Sequence, residues 1–117
     1  LQAYNAQLAL RFPAADTRVM VIDFFTEFNR MLDTPAAYGL TNVTTPACPV
    51  TGVEGGLPAF TIKDCTSASL SAMPPAGSSN PDWWTTYLFS DHFHGTPKTN
   101  QIIGDLVIKA LESKGWK

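Results

Sequence analysis

The sequence predicts the last portion of an α/β protein built around a parallel sheet. Three observations carry that expectation. The elements follow in the order helix, strand, helix, long loop, helix. The run Arg18–Phe24 (RVMVIDF) is continuously apolar and rich in β-branched residues, the character of a strand covered on both faces. Pro97–Lys114 is an amphipathic helix with clear start and stop signals.

Residues 1–11 (LQAYNAQLALR) read as a helix, with Leu1, Tyr4, Leu8 and Arg11 at helical spacing and Pro13 after its end. After the turn-like PAAD and the strand run, the pattern switches back to helical spacing. Phe25, Phe28 and Leu32 share one face, with Glu27, Asn29 and Arg30 away from it. Thr34-Pro35 ends that helix, because the residue before a proline avoids the helical region. Residues 36–86 lose periodicity, and a loop of such length is functional or disordered. Thr85–Phe89 (TTYLF) reads as a very short strand. In the last helix Thr96 fits the N-cap, Pro97 the first helical position and Gly115 the stop. Its apolar stripe is Ile102, Ile103, Leu106, Val107, Ala110 and Leu111. The chain thus divides into a helix-strand-helix part (1–35), a long loop (36–86) and a terminal loop with its helix (87–117). Its two strong amphipathic helices and the flat run 18–24 need covering surface that the chain does not itself supply, so another polypeptide portion is expected.

Composition narrows the function classes. A formal net charge of -2 over 117 residues gives no basic footprint for nucleic acid. No apolar run approaches the roughly 18 residues that cross a bilayer, and no charged n-region precedes an apolar stretch at the start, so no signal peptide is read here. Cys48 and Cys65 bracket a segment rich in glycine, proline and turn formers. Such a pair suits a disulfide staple in an oxidising compartment, worth about 3 kcal/mol at this loop length; the alternative is two unpaired, partly buried thiols. Neither cysteine has a second ligand at metal-site spacing, so no metal is expected there.

The densest chemical segment is Ser90-Asp91-His92-Phe93-His94-Gly95-Thr96, just ahead of the last helix. On a turn, Asp91 and His94 face one cavity. The carboxylate then fixes the tautomer and direction of the imidazole, and the other ring nitrogen is free to take a proton from a serine hydroxyl. Histidine suits that task because its ordinary pKa lies near neutral. The bland reading of Asp-x-x-His is a pair of surface or helix-capping polar residues.

Tyr87 through Thr96 resembles the last block of GDSL/SGNH esterases and lipases, where an aromatic-flanked Asp-x-x-His precedes a threonine and the final helix. Val19–Asp23 followed by FFTEFNRML looks like that family's last core strand and next helix. Pro35 through Val43 (PAAYGLTNV) looks like its "NPxxYGFxNV" stretch, followed by Cys48, and Tyr4–Leu8 looks like the helix before the strand. The resemblance covers most of the chain in family order, nearest to the branch of secreted bacterial phospholipases, acyltransferases and choline esterases. It implies the C-terminal part of a single three-layer α/β/α, flavodoxin-like domain with a parallel sheet. It also implies a lipid-degrading carboxylic ester hydrolase that uses no cofactor, is secreted, periplasmic or on the cell surface, and takes an ester or lipid substrate, including one at a membrane surface. The same resemblance implies that Asp91 and His94 are its catalytic acid and base. The chain departs from the family at Gly95, where a proline is usual, and at Ser90, where a tryptophan is frequent. The family's GDS-type serine and the glycine and asparagine of its oxyanion hole have no counterpart here, and Ser78 and Ser79 lack the strand-to-helix context of a nucleophile. The resemblance therefore implies an N-terminal portion or companion chain that carries the serine.

Other residues carry weaker signals. His92 and His94 with Asp91 resemble a metal set, but a further strong ligand is lacking nearby. Asp23 sits where α/β proteins place functional groups, yet suits helix capping better. Trp83, Trp84, His92 and Phe93 are candidate substrate contacts, aromatic faces being attractive to quaternary ammonium groups; core packing is the equal alternative for the tryptophans. Asn42-Val43-Thr44 is a glycosylation sequon, meaningful only in a eukaryotic source. The stapled loop suggests a lid or an activation site. A rival reading from another class is a secreted, non-catalytic binding module or subunit whose aromatic cluster and stapled loop form the recognition surface.

Overall fold

The computed structural model describes residues 2–12 and 17–116; Leu1, Pro13 and the rest of PAAD lie outside them. Helix α1 (Gln2–Arg11) buries none of its residues. Helix α2 (Phe24–Asp33) begins at Asp23, whose carboxylate accepts from the Thr26 backbone N–H at 3.0 Å and from its hydroxyl at 2.6 Å. Those bonds to Thr26 hold the Asp23 carboxyl below its ordinary pKa, and they give this residue the capping role rather than a functional one. Helix α2 turns Met31 fully inward and ends where Thr34 precedes Pro35. A 3-10 turn (Pro35–Tyr38) follows, closed by Gly39 at φ 69°.

The expected parallel sheet and three-layer α/β/α, flavodoxin-like architecture are not formed. Residues 19–23 belong to no helix or strand, and the sheet among the described residues is one antiparallel hairpin of two strands. The physical reason is pairing. A strand exists only when its N–H and C=O groups meet a neighbour's, and no backbone hydrogen bond ties Val19–Val21 to another described residue. Apolar continuity in a sequence reports that a run seeks burial; it does not supply the partner that would make it a strand.

The span 36–86 is more ordered than its lack of periodicity suggests. Strands β1 (Val50–Glu54) and β2 (Leu57–Phe60) pair with Val53 opposite Pro58 and Glu54 opposite Leu57. Gly55 and Gly56, at φ 58° and 82°, supply the two left-handed positions of a tight hairpin turn. A short helix α3 (Ser67–Ser71) is capped by the Thr66 side chain. The 3-10 turn Trp83–Thr86 replaces the start of the expected strand 85–89, whose remainder makes single bridges, Asn42 with Tyr87 and Phe89 with Gly95. Helix α4 (Pro97–Ser113) follows the sequence signals: the Thr96 side chain accepts from the Thr99 N–H, Pro97 opens the helix, and Gly115 at φ 71° follows its end.

Packing is divided between two small clusters. Met31, Leu40 and Leu88 form one, flanked by Phe28, Tyr38, Phe89 and Ile102. Ala47, Cys48 and Leu70 form the other, flanked by Phe60, Trp83, Trp84 and Tyr87. Cys48 and Cys65 are joined in a disulfide with Cα atoms 5.1 Å apart, which ties the base of the hairpin to the second cluster. The bond fits an oxidising location, and no helix among the described residues is long and apolar enough to cross a membrane.

So little buried apolar surface makes the staple important. Replacing both Cys48 and Cys65 by serine is expected to cost about 3 kcal/mol in urea unfolding. A reducing agent should move the parent protein to the same midpoint and leave the double variant where it is.

Candidate active site

The loop between Leu88 and Thr96 is built from both ends. On one side the Thr96 hydroxyl donates to the Tyr87 carbonyl at 2.6 Å, and the Thr99 hydroxyl donates to the Leu88 carbonyl at 2.6 Å. Thr96 and Thr99 are buried, as is Leu88 between them and the core. On the other side the N–H groups of Ala47 and Cys48 donate to the carbonyls of Phe89 and Ser90 at 2.9 and 2.8 Å. The loop then closes on itself, the Ser90 N–H donating to the His94 carbonyl at 2.8 Å.

Inside this frame Asp91 braces the turn. Its Oδ1 accepts from the backbone N–H groups of Phe93 and His94, each at 2.7 Å. Its Oδ2 lies 2.8 Å from His94 Nδ1. The Asp91 side chain is 24% exposed and that of His94 76%. Partial burial is the largest single influence on the Asp91 carboxyl and pushes its pKa up. The N–H groups of His94 and Phe93 and the His94 ring together outweigh it, so the group titrates below the usual 3.8. Asp91 is therefore ionised at neutral pH. Its negative charge beside Nδ1 favours the tautomer protonated there, which leaves Nε2 as the basic atom. Among the described residues nothing bonds to Nε2.

Gly95 explains how the loop reaches the helix. A Cβ at this position would stand 2.8 Å from Thr99 Cγ2 and 2.9 Å from Thr99 Cβ. The Thr99 side chain is held by its bond to Leu88 and has no room to yield. Glycine here is thus a close-approach residue, and the proline usual in the resembling family would collide. The signal in the sequence is Gly95 and Thr99 at one-turn separation, legible only once Thr99 is known to be buried.

The remaining candidates separate. The His92 ring meets Phe60 edge-on with centroids 5.1 Å apart. Phe93 is 90% exposed beside His94, ring centroids 6.1 Å apart. Trp83 and Trp84 are half-buried against Ala47, Cys48 and Leu70. Their indole N–H groups are committed to the Leu70 carbonyl and the Ser71 hydroxyl at 2.8 and 3.2 Å. They pack within the second apolar cluster. The Ser90 hydroxyl donates to the Gly95 carbonyl at 3.2 Å, so its proton is already used within the loop. Ser78 caps a turn at Asn80. No three His, Cys, Asp or Glu side chains converge among the described residues.

A second feature lies behind Phe28, which packs on Phe89 with centroids 6.0 Å apart. Helices α1, α2 and α4 and the segment 21–23 border an apolar groove of about 810 Å³, lined by Leu8, Ala9, Val21, Phe25, Met31 and Ile103 among others.

Comparison with protein-family models, with curated proteins and with solved structures finds no match.

Two outcomes follow from this geometry. Asp91 has a depressed folded pKa, so the stability it contributes is complete above the ordinary carboxylate value and is lost as pH falls through the lower folded value. The difference in urea stability between the parent and Asp91→Asn should therefore be constant at neutral pH and shrink only below about pH 4. Gly95→Ala should overpack the contact with Thr99 and cost about 1–3 kcal/mol, read from the same unfolding curves.

Proposed function

We propose that this chain supplies the acid–base pair of a serine ester hydrolase, with the nucleophilic serine and the oxyanion donors contributed by an N-terminal portion or companion chain. The observation that carries the reading is the pairing of His94 Nδ1 with the ionised Asp91 in a largely exposed side chain whose Nε2 has no partner among the described residues. In this mechanism the serine Oγ attacks the ester carbonyl as its proton passes to His94 Nε2. The tetrahedral oxyanion collapses to an acyl-enzyme, and the proton on Nε2 goes to the leaving alcohol. Water then loses a proton to Nε2 and attacks the acyl carbon. As this second tetrahedral intermediate collapses to the carboxylic acid, the proton on Nε2 passes to the departing serine Oγ. Asp91 keeps the ring in place and stabilises its charged form throughout.

The apolar groove supports a companion portion. The chain exposes 8150 Å², whereas a folded protein of this mass exposes about 6,200 Å². Its radius of gyration is 17.4 Å, against about 13 Å for a compact chain of this length. The excess area is more than twice the roughly 800 Å² that one partner contributes to a standard protein interface. A disulfide-stapled hydrolase of this kind would act outside the cytosol, in the periplasm, at the cell surface or secreted, on carboxylic esters of the lipid or lysophospholipid type.

The alternative, a non-catalytic binding module, is favoured by one observation: no serine hydroxyl among the described residues bonds to His94 Nε2. It predicts binding without turnover. In the complete protein, His94→Ala and Asp91→Asn should each lower kcat by about 10⁴-fold and suppress labelling by a fluorophosphonate probe. Unchanged turnover in His94→Ala would overturn the catalytic assignment.

A further inference from the structure

The stapled hairpin is fastened to the candidate catalytic loop, not merely near it. The backbone N–H of Cys48 holds the Ser90 carbonyl, Cys48 is bonded to Cys65, and Phe60 at the end of β2 touches the His92 ring. His92 lies within the loop that the bond from Ser90 to His94 closes. Side chains alternate across a strand, and directly opposed residues share a face. Phe60 and Pro58 therefore share a face, and Val53, opposite Pro58, belongs to it, as does Val50, opposite Phe60. These four side chains are all apolar. The face starts at the half-buried Phe60 and runs outward to Val53, which is 75% exposed. The other face carries Glu54 and Leu57, and Leu57 is 69% exposed.

An apolar strip on a disulfide-stapled hairpin, anchored against a proton-transfer loop, has the form of an alkyl-chain contact. The strand rise of about 3.3 Å per residue carries the strip roughly 7 Å past Phe60, the reach of several methylenes. We propose that the hairpin face of Phe60, Pro58 and Val53 receives the acyl chain of the ester, so that the site selects esters of medium or long alkyl acids over acetates. The inference rests on the ester-hydrolase reading. It adds the class of acyl group and names Val53 as a specificity-determining residue.

The test compares p-nitrophenyl octanoate and p-nitrophenyl acetate, both below aggregation, in the complete protein with Val53→Ser or Leu57→Ser. Both side chains stand in solvent, so neither substitution disturbs the core. Each methylene kept from water is worth about fourfold. The octanoate-to-acetate ratio of kcat/KM should fall roughly tenfold in Val53→Ser, and should hold in Leu57→Ser, whose side chain lies on the other face. An unchanged ratio in Val53→Ser overturns the strip. An equal fall in both variants also overturns it, since the effect would then not follow the face. Loss of binding to phosphatidylcholine vesicles in Val53→Ser, with the ratio intact, assigns the face to a lipid surface and again overturns the acyl-chain role. If the parent protein turns over neither ester, the hydrolase reading fails, and the strip with it; turnover of both with an unchanged ratio leaves hydrolysis standing and removes the strip alone.

Discussion

Two threonine hydroxyls hold this molecule's arrangement together. Thr96 and Thr99, one turn apart at the start of α4, donate to the consecutive carbonyls of Tyr87 and Leu88. A helix beginning leaves side chains free to act where backbone partners are lacking, and here the same first turn both caps itself and grips the segment before it. Leu88 is thereby driven into the cluster of Met31 and Leu40, with no exposed surface left. Because Leu88 is fixed on one side and Ser90 is held by Cys48 on the other, the residues between Ser90 and Thr96 have little freedom. The direction of the Asp91–His94 pair is set by these neighbours rather than by contacts of its own with the core.

How much of this was legible depended on whether the decisive partner was local. Thr96, Pro97 and Gly115 define α4 through bonds within a turn of chain, and the sequence carries such signals faithfully. Asp23 was readable as a cap for the same reason, its partner Thr26 being three residues on. The Asp91–His94 contact is also local, which is why its spacing suggested it. The run 18–24 failed as a strand because strand formation needs a remote partner, and composition says nothing of whether one is at hand. The hairpin was missed in the other direction. Glu54-Gly55-Gly56-Leu57 holds two adjacent glycines, a tight-turn signal. But β1 is exposed along its whole length, so no alternation of burial stood out to mark it. The family resemblance predicted a sheet that the described residues do not form, and its expectations for the loop depend on groups outside them.

The imbalance between the helices and their cover has one physical consequence. Amphipathic helices gain most of their stability from the apolar face they bury, and α1 buries nothing. The parts with satisfied tertiary bonds are the loop of Asp91 and His94, the stapled hairpin base and the start of α4. The parts that border the groove, α1 and the segment 21–23, contribute surface without closing it. The chain is therefore most firmly held around Asp91 and His94 and least so along the groove, the reverse of a domain whose sheet forms the rigid centre and whose loops are the loose periphery.

Asp91 joins these themes in one carboxylate. Its Oδ1 takes two backbone N–H groups and holds the turn; its Oδ2 faces the ring and directs the imidazole. The bonds that shape the loop are the same ones that keep the carboxyl charged despite its partial burial. A protonated Asp91 would accept more weakly from both backbone groups and from the ring, so the hold on the loop and on the ring would weaken together. The converse also holds. An amide in this place could still accept through its oxygen from the two backbone donors, but its nitrogen, also a donor, would confront Nδ1 and favour the opposite tautomer. The loop would keep its form while the proton-accepting atom moved to the nitrogen turned inward. Shape and basicity are thus separable at this one residue, although a single pair of oxygens serves both.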